Sequence, residues 1–457
     1  MNFPWGKNKK TGPLNEEKLP LFSLKGKLID LSYTGADISS DGGLLLLREL
    51  ENQIGLVKAL AGCIEDERDE RYVQHSTQSL LSQRIFQIVA GYEDANDCDE
   101  LRTDSIFKIC AGQLPQSGAA LGSQPTMSRF ENSAGKADLY RIAKCFAQHF
   151  VDSYASEPAV VILDCDDTNH NAYGEQLEIE FNSYYGEYCF MPLHIYEGLS
   201  GKLITTILKP GRRSKACDVF AILKRVAQFL RGHWANTRII VRGDSHFCSA
   251  PFMDWAKQQY KVNFITGLSG NSKLHQLSKL TVESAQKSYE KNQRPVRRYH
   301  TFSYKAGSWS CPQRVVVKVE VSAKGTNIRY IVTDLWEFRT QKLYETGYCA
   351  RGSMELRIKE HKTYLKSERT SCHRFEANQF RVFLHSAAYV LLHTLQKEVL
   401  QGTRFCNATM KTLQLKLIKV AARVKEMKTK IKIEFPQSCP VAQQQGKAFH
   451  IFEVLRL

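Results

Sequence analysis

The stretch Ala159-Val160-Val161-Ile162-Leu163-Asp164-Cys165-Asp166-Asp167-Thr168 decides the fold class. Its apolar, β-branched half reads as a buried strand. Side chains alternate across a strand, so Asp164 and Asp166 share one face. Carboxylates ending a buried strand are costly unless a cation or a hydrogen-bond partner meets them. Working outward, residues 188–196 and 203–208 read as two more strands, joined by the turn Glu197-Gly-Leu-Ser-Gly-Lys. A helix is predicted over 216–232, a strand over 238–242, a helix over 251–259 with an early proline, and a strand over 262–266. The order β-β-β-α-β-α-β predicts an α/β (α+β) fold with a mixed five-stranded sheet. The fourth strand also ends on an acid, in Arg242-Gly243-Asp244-Ser245-His246.

Upstream, residues 35–155 read as all-helical. Asp41-Gly-Gly opens a helix over 44–60 behind Ser39 and Ser40, and another helix covers 76–90. Asp104 caps a short helix, Ser123-Gln-Pro starts another, and a long amphipathic helix spans 137–154. Residues 1–34, with Pro4, Pro13 and Pro20, read as a loose basic tail. Downstream, residues 271–340 alternate apolar and polar positions. Val315, Val317, Val319 and Val321 lie on one strand face, which predicts an antiparallel β-insertion projecting from the core rather than continuing its sheet. Helix resumes over 345–365. A longer helix over 377–400 carries Phe380, Phe383, Leu384, Ala387, Leu391 and Leu395 at core spacing.

At 457 residues the chain has room for about three domains. Lys and Arg exceed Asp and Glu by 63 to 47, a net charge of +16. That surplus points to a polyanionic partner, nucleic acid first. No apolar run approaches the ~18 residues of a membrane span, and the N-terminus lacks the apolar core of a secretory signal. Thirteen scattered cysteines form no CxxC pair, which argues for reduced thiols rather than a zinc ribbon or a disulfide framework. Nine basic residues and one acid lie between Lys202 and Arg238, and ten basic residues and two acids between Lys397 and Lys432. Within the first run, Arg212, Arg213 and Lys215 sit in a loop before a helix, suited to phosphates.

A third acid lies on the helix after the insertion. At 100° per residue, Tyr348, Arg351, Glu355 and Lys362 share a stripe about 60° wide. Two strand-end aspartates and a helical glutamate supply oxygen ligands for hard divalent cations. Two such ions clamp the attacking and leaving oxygens of a phosphoryl transfer.

With these residues in place, the sequence resembles the DDE transposases of bacterial insertion sequences. It matches the insertion-sequence 4 group that bears a Y-(2)-R-(3)-E-(6)-K signature, through Tyr348, Arg351, Glu355 and Lys362. Within that group it is similar to the insertion-sequence 1380 family. The matching stretches are LSQRIFQIVAGYEDANDCDELR (81–102), SQPTMSRFEN (123–132), LDCDDT (163–168), FNSYYGEYCFMPLHIYEG (181–198), IIVRGDSHFC (239–248), YCARGSMELRIKEHK (348–362) and RTSCHRFEANQFR (369–381).

The resemblance implies an RNase H-like catalytic core and metal-dependent cut-and-paste transposition, with two Mg²⁺ ions for which Mn²⁺ can substitute. By motif position Asp244 is the second acid and Glu355 the third. Asp166 is the first, being followed directly by Asp167-Thr168, and Asp164 is the alternative. Tyr348, Arg351 and Lys362 are then DNA-contacting residues beside Arg212, Arg213 and Lys215. The implied partners are the element's terminal inverted repeats and target DNA, with a homodimer in the synaptic complex, no membrane, and a bacterial cytoplasmic, nucleoid-associated location. The expected organisation is a tail (1–34), a helical DNA-binding region (35–155), the first part of the core (156–270), the β-insertion (271–340), the core helix with Glu355 (341–370) and a helical, basic C-terminal region (371–457). In related transposases an aromatic near the insertion stacks on a flipped base. Trp309 and Trp336 read here as sheet-packing aromatics.

Overall fold

The computed structural model describes residues 19–33, 35–172, 174–211 and 216–455. An eight-stranded mixed sheet organises it. From edge to edge the strands are Val296–Tyr304, Gln313–Ser322, Gly325–Thr333, Val262–Leu268, Arg238–Gly243, Val160–Asp167, Leu193–Glu197 and Leu203–Ile207. Val160–Asp167 and Arg238–Gly243 are parallel, in register Leu163↔Val241 and Asp164↔Arg242. Val262–Leu268 runs parallel beyond them, and the other neighbours are antiparallel. Because the two acid-bearing strands are parallel and in register, Asp166 and Asp244 emerge at the same end of the sheet.

The strands expected from the sequence are present, but the one predicted over 188–196 divides. Glu187–Phe190 joins a small separate sheet, and Leu193–Glu197 joins the large one. Met191-Pro192 breaks the run, since proline has no N–H to give a ladder.

The expectation of a projecting β-subdomain over 271–340 is overturned. Gly325–Thr333 pairs antiparallel with Val262–Leu268, through Ile265↔Thr333 and Leu268↔Tyr330. The three inserted strands therefore extend the central sheet. The reason lies in Gln313–Ser322, whose first five residues are all buried. Val315, Val317 and Val319 join the same core as Val161 and Leu163, while Val316 packs on the other face with Ile265, Ile331, Leu343 and Tyr344. A strand buried on both faces needs covering layers that a free three-stranded sheet lacks. One cover is the helix Ser272–Asn292, capped where the Asn271 side chain accepts from the Leu274 N–H. It lay inside the segment read as strands. Only Leu274, Ser278 and Ala285 along it are buried, too sparse an apolar stripe to announce a helix.

The N-terminal helices Thr77–Ala90, Ser105–Cys110, Gln124–Glu131 and Lys136–Asp152 form as expected, the helix expected over 44–60 divides at left-handed Gly55 into Leu44–Ile54 and Leu56–Ala61, and a short helix not read from the sequence, Asp97–Leu101, joins them. Asp104 caps its helix by accepting from the N–H groups of Ile106 and Phe107. The Asp41-Gly-Gly turn has a different cause from a Ser39 or Ser40 cap. A Cβ on Gly43 would lie 2.1 Å from the Leu417 carbonyl. The two glycines let the chain lie against residues 417–420, bonded from Gly42 N to Val420 O at 2.8 Å. Part of the segment read as a tail is ordered too: Leu19–Leu24 and Lys27–Leu31 form a hairpin through Lys25-Gly26. Residues 1–18 of that tail lie outside the described residues.

The C-terminal region is not wholly helical. Ala422–Glu426 and Ile431–Glu434 make a three-stranded sheet with Ile38–Ser39. The helix Phe375–Thr394 is buried on every side from Ala377 to His393. It shares one core with the N-terminal helices, from Leu44 through Phe380 to Val424. Two of its buried amides are satisfied: Gln379 accepts from Leu208 N at 2.6 Å, and Asn378 exchanges two bonds with the backbone of Cys372. Among the described residues no helix is long and apolar enough to cross a membrane.

Candidate active site

Three aspartates crowd the end of the Val160–Asp167 strand, and each has a cation. Asp164 is 1% exposed and pairs in a two-pronged contact with Arg242, its neighbour on the adjacent strand, with Nη2 to Oδ2 at 2.6 Å. Arg242 also donates to the Gly347 carbonyl, so this pair ties two strands to the helix beyond them. Burial pushes the Asp164 carboxyl up and Arg242 draws it back. Asp166 meets Arg351, with Nη2 to Oδ2 at 2.7 Å. Its carboxyl is pushed up to about 7: burial is the main cause, the charges of Asp244 and Asp167 add to it, and Arg351 opposes it. Asp167 holds the Lys209 ammonium at 2.7 and 2.8 Å.

Asp244 follows Arg238–Gly243 and caps the short turn Ser245–Phe247. Its Oδ1 accepts from His246 N at 2.8 Å, and its Oδ2 lies 3.0 Å from His246 Nδ1. Its negative charge reaches Asp166, Asp167 and Tyr348. Asp244, Gly267, Arg329, Tyr330 and Tyr344 line an open cleft of about 250 Å³ beside it, with Tyr348.

The segment carrying Tyr348, Arg351, Glu355 and Lys362 is not one regular helix. A wide π turn, Leu343–Tyr348, passes through a 3₁₀ turn, Cys349–Arg351, into Gly352–Lys359 and then a second π turn, Glu360–Tyr364. Such turns shift the angular phase that the stripe arithmetic assumed constant. Tyr348 is half-buried against Tyr344, its ring 5.8 Å away. Lys362 reaches back to the strand end, 3.0 Å from Asn169 Oδ1 and 3.4 Å from Thr168 Oγ1. Arg351 and Lys362 thus clamp the segment onto the residues after Leu163. Glu355 points to solvent. Among the described residues no three His, Cys, Asp or Glu side chains form a group able to hold a metal ion. Asp166 and Asp244 are brought together, Asp164 is committed to Arg242, and Glu355 stands apart.

Arg212, Arg213 and Lys215 lie outside the described residues. Trp309 is buried against Tyr304, as a sheet-packing residue, whereas Trp336 is 60% exposed with Arg314 beside its ring. Lys209 escaped the sequence reading, because nothing in a lysine 42 positions away marks it as the partner of Asp167. His246 lies inside the quoted Arg242–His246 motif, and its spacing of two from Asp244 was a signal.

The profile of the transposase DDE domain group 1 family matches residues 22–456. The chain belongs to this family. It is a DDE-type DNA transposase, of a family that works with divalent metal ions. No curated protein sequence matches the chain. Among solved structures, a cryo-EM piggyBac transposase synaptic complex with hairpin DNA superposes with a TM-score of 0.43 at 13% identity, over 82% of this chain and 80% of that one.

Proposed function

We propose that this DDE transposase is of the insertion-sequence 1380 type. It binds the terminal inverted repeats of its element as a homodimer at the nucleoid, cleaves at the ends and joins them to target DNA. One observation carries the reading. Two parallel, in-register strands deliver Asp166 and Asp244 to one edge, close enough that the charge of Asp244 helps hold the Asp166 carboxyl up at about 7. The strand order 203–207, 193–197, 160–167, 238–243, 262–268 within the larger sheet supports an RNase H-like core.

The donor set fits a hard cation, because crowded carboxylates gain from one. Asp166 and Asp244 would hold it, with Glu355 as the third acid by motif. When bound, two Mg²⁺ ions, or Mn²⁺ in their place, supply charge neutralisation at the attacking and leaving oxygens of the phosphoryl transfer. The protein's part is to release Asp166 from Arg351 and bring Glu355 to the pair. Arg351, freed, and Lys362 then face phosphate, where a guanidinium binds two oxygens at once.

The test is Asp166→Asn, Asp244→Asn and Glu355→Gln, each assayed for cleavage and for binding of inverted-repeat duplex. All three lose cleavage, by at least two orders of magnitude, and keep binding within a few-fold. Normal cleavage by Glu355→Gln sinks the third assignment. Normal cleavage by all three sinks the assignment of these acids, whereas a wild type that binds inverted-repeat duplex with divalent metal and does not cut it leaves a DNA-binding regulator.

A further inference from the structure

Beside the carboxylates stands a surface that the acids do not explain. Between Asp167 and Leu193 the chain builds a small sheet of its own from His170–Asn171, Glu180–Asn182 and Glu187–Phe190. Its hairpin carries four exposed aromatics: Phe181 at 53%, Tyr184 at 85%, Tyr185 at 37% and Tyr188 at 58%. Single exposed apolar residues are ordinary, but a contiguous patch marks a contact surface.

The patch is held on a fixed support. Asn182 Oδ1 accepts from Tyr184 N at 3.0 Å and Tyr185 N at 3.4 Å, and Gly186 N donates to Asn182 O at 2.8 Å. Asn182 is buried, and its Nδ2 donates to the Gly211 carbonyl at 2.8 Å. Gly211 has no room for a side chain: a Cβ there would lie 2.0 Å from Cys189 O. The same segment carries Lys209, which grips Asp167 at 2.7 Å. The hairpin and the acid cluster thus hang on one short stretch of chain. Burial first, then Tyr184 and the charges of Asp166 and Asp167, raise the Tyr185 phenol. The Tyr184 and Tyr185 rings stand perpendicular, 4.9 Å apart. The chain after Gly211 reads Arg212-Arg213-Ser214-Lys215.

We propose that the Tyr184–Tyr185 turn is a stacking platform for an unpaired nucleobase of the DNA strand whose phosphate lies at Asp166 and Asp244. The inference rests on the transposase reading of that site. Every base has a π-face, so exposed aromatic rings hold single-stranded DNA with little sequence preference. A strand being cut and rejoined needs its terminal nucleotide held still while its partner strand is released, and two exposed rings on a turn whose backbone is fixed by Asn182 suit this.

The probe is a forked duplex with 2-aminopurine at the first unpaired position, titrated with the full chain and compared with the blunt duplex. Wild type quenches the 2-aminopurine and prefers the fork. Tyr184→Ala and Tyr185→Ala lose the quench and bind the fork roughly tenfold more weakly, with blunt-duplex binding unchanged. Tyr184→Phe and Tyr185→Phe keep both, because the ring and not the hydroxyl stacks. Thermal melts check the fold, which exposed side chains on this turn leave intact. The proposal is overturned if the alanine variants quench and bind like wild type, or if phenylalanine loses as much as alanine. It is equally overturned if the alanine variants alter only the sedimentation of the free protein, which makes the patch a protein contact. Inverted-repeat cleavage separates the two readings: a wild type that cuts no inverted-repeat duplex defeats the active-enzyme reading, and persistent cutting by Asp166→Asn defeats Asp166 as the first acid, while the fork result stands alone in either case.

Discussion

Asp164 and Asp166 are two residues apart on one strand face, yet their surroundings assign them opposite work. Asp164 is sealed in a two-pronged pair with Arg242, and breaking such a pair strands a buried charge. Arg242→Ala is therefore expected to destabilise the fold by about 3–5 kcal/mol, read by chemical denaturation. Asp166→Asn, beside half-exposed Asp244, is expected to leave stability nearly unchanged at neutral pH and to abolish cleavage. Equal stability losses for the two variants would contradict this division. The Asp166 carboxyl at about 7 also has a consequence for metal. A raised acid keeps its proton up to higher pH, so protons compete with the cation as pH falls through 7. At limiting Mg²⁺, cleavage should drop between pH 8 and 6 and recover with added Mg²⁺. A loss that excess Mg²⁺ does not restore would point elsewhere. The pair of candidates was legible in the sequence from alternation alone, but the choice between them was not. It depends on Arg242 lying opposite Asp164 across two parallel strands, a register no local pattern records.

Whole elements were legible where their apolar period was dense. The Thr77–Ala90 and Lys136–Asp152 helices and the Val160–Asp167 and Arg238–Gly243 strands fall close to their predicted places. The period failed where burial was sparse or total. Ser272–Asn292 buries three residues and hid among strands, and the inserted strands showed their alternation without showing which sheet they join. Phe375–Thr394 is buried all round, so its period gave its length but not its role as the post between two halves of the fold. That helix closes over a set of buried histidines. His361 meets Tyr196 at 3.1 Å, His385 Nδ1 lies 2.6 Å from the Leu365 carbonyl, and the His194 and His361 rings lie 5.1 Å apart. Burial drives all of them down, His194 to about 3 and His170, His361 and His385 well below the usual range. A folded-state value below the unfolded ~6.5 gives stability that is full above pH 6.5 and lost as pH falls toward the folded value. Each such histidine costs about 1.4 kcal/mol per pH unit below 6.5. Acid unfolding is thus expected to begin near pH 6 and steepen sharply. Among the described residues neither ring nitrogen of His170 has a partner, so His170→Phe should move the acid midpoint to lower pH in circular dichroism. An unmoved midpoint would remove His170 from the cause.

Across the whole molecule, the charge balance and the architecture point to one surface. The +16 surplus is not spent on internal pairing at the sheet edge, where acids and bases neutralise one another: Asp164 with Arg242, Asp166 with Arg351, Asp167 with Lys209. It lies instead in runs such as Lys397 to Lys432, and much of that run is solvent-facing: Lys411, Lys416, Arg423, Lys425, Lys428, Lys430 and Lys432 are exposed. Screening weakens exposed charges first. Each lysine or arginine that meets a phosphate releases a condensed counterion, so the logarithm of affinity falls linearly with the logarithm of salt concentration. With ~6–10 phosphate contacts, affinity for inverted-repeat duplex should fall about 10³–10⁵-fold between 50 and 200 mM salt. Lys425→Ala combined with Lys428→Ala should flatten that slope by about two counterions if both meet phosphate, with stability unchanged because both side chains are exposed. The acid cluster predicts the opposite for its own substitutions. Asp166→Asn and Asp244→Asn remove negative charge beside the scissile phosphate, so without metal they should bind duplex as tightly as wild type or more tightly, with the same salt slope. A steeper slope in those variants, or a flat one in the wild type, would mean that the basic runs are solvated faces and that recognition rests on contacts other than phosphate.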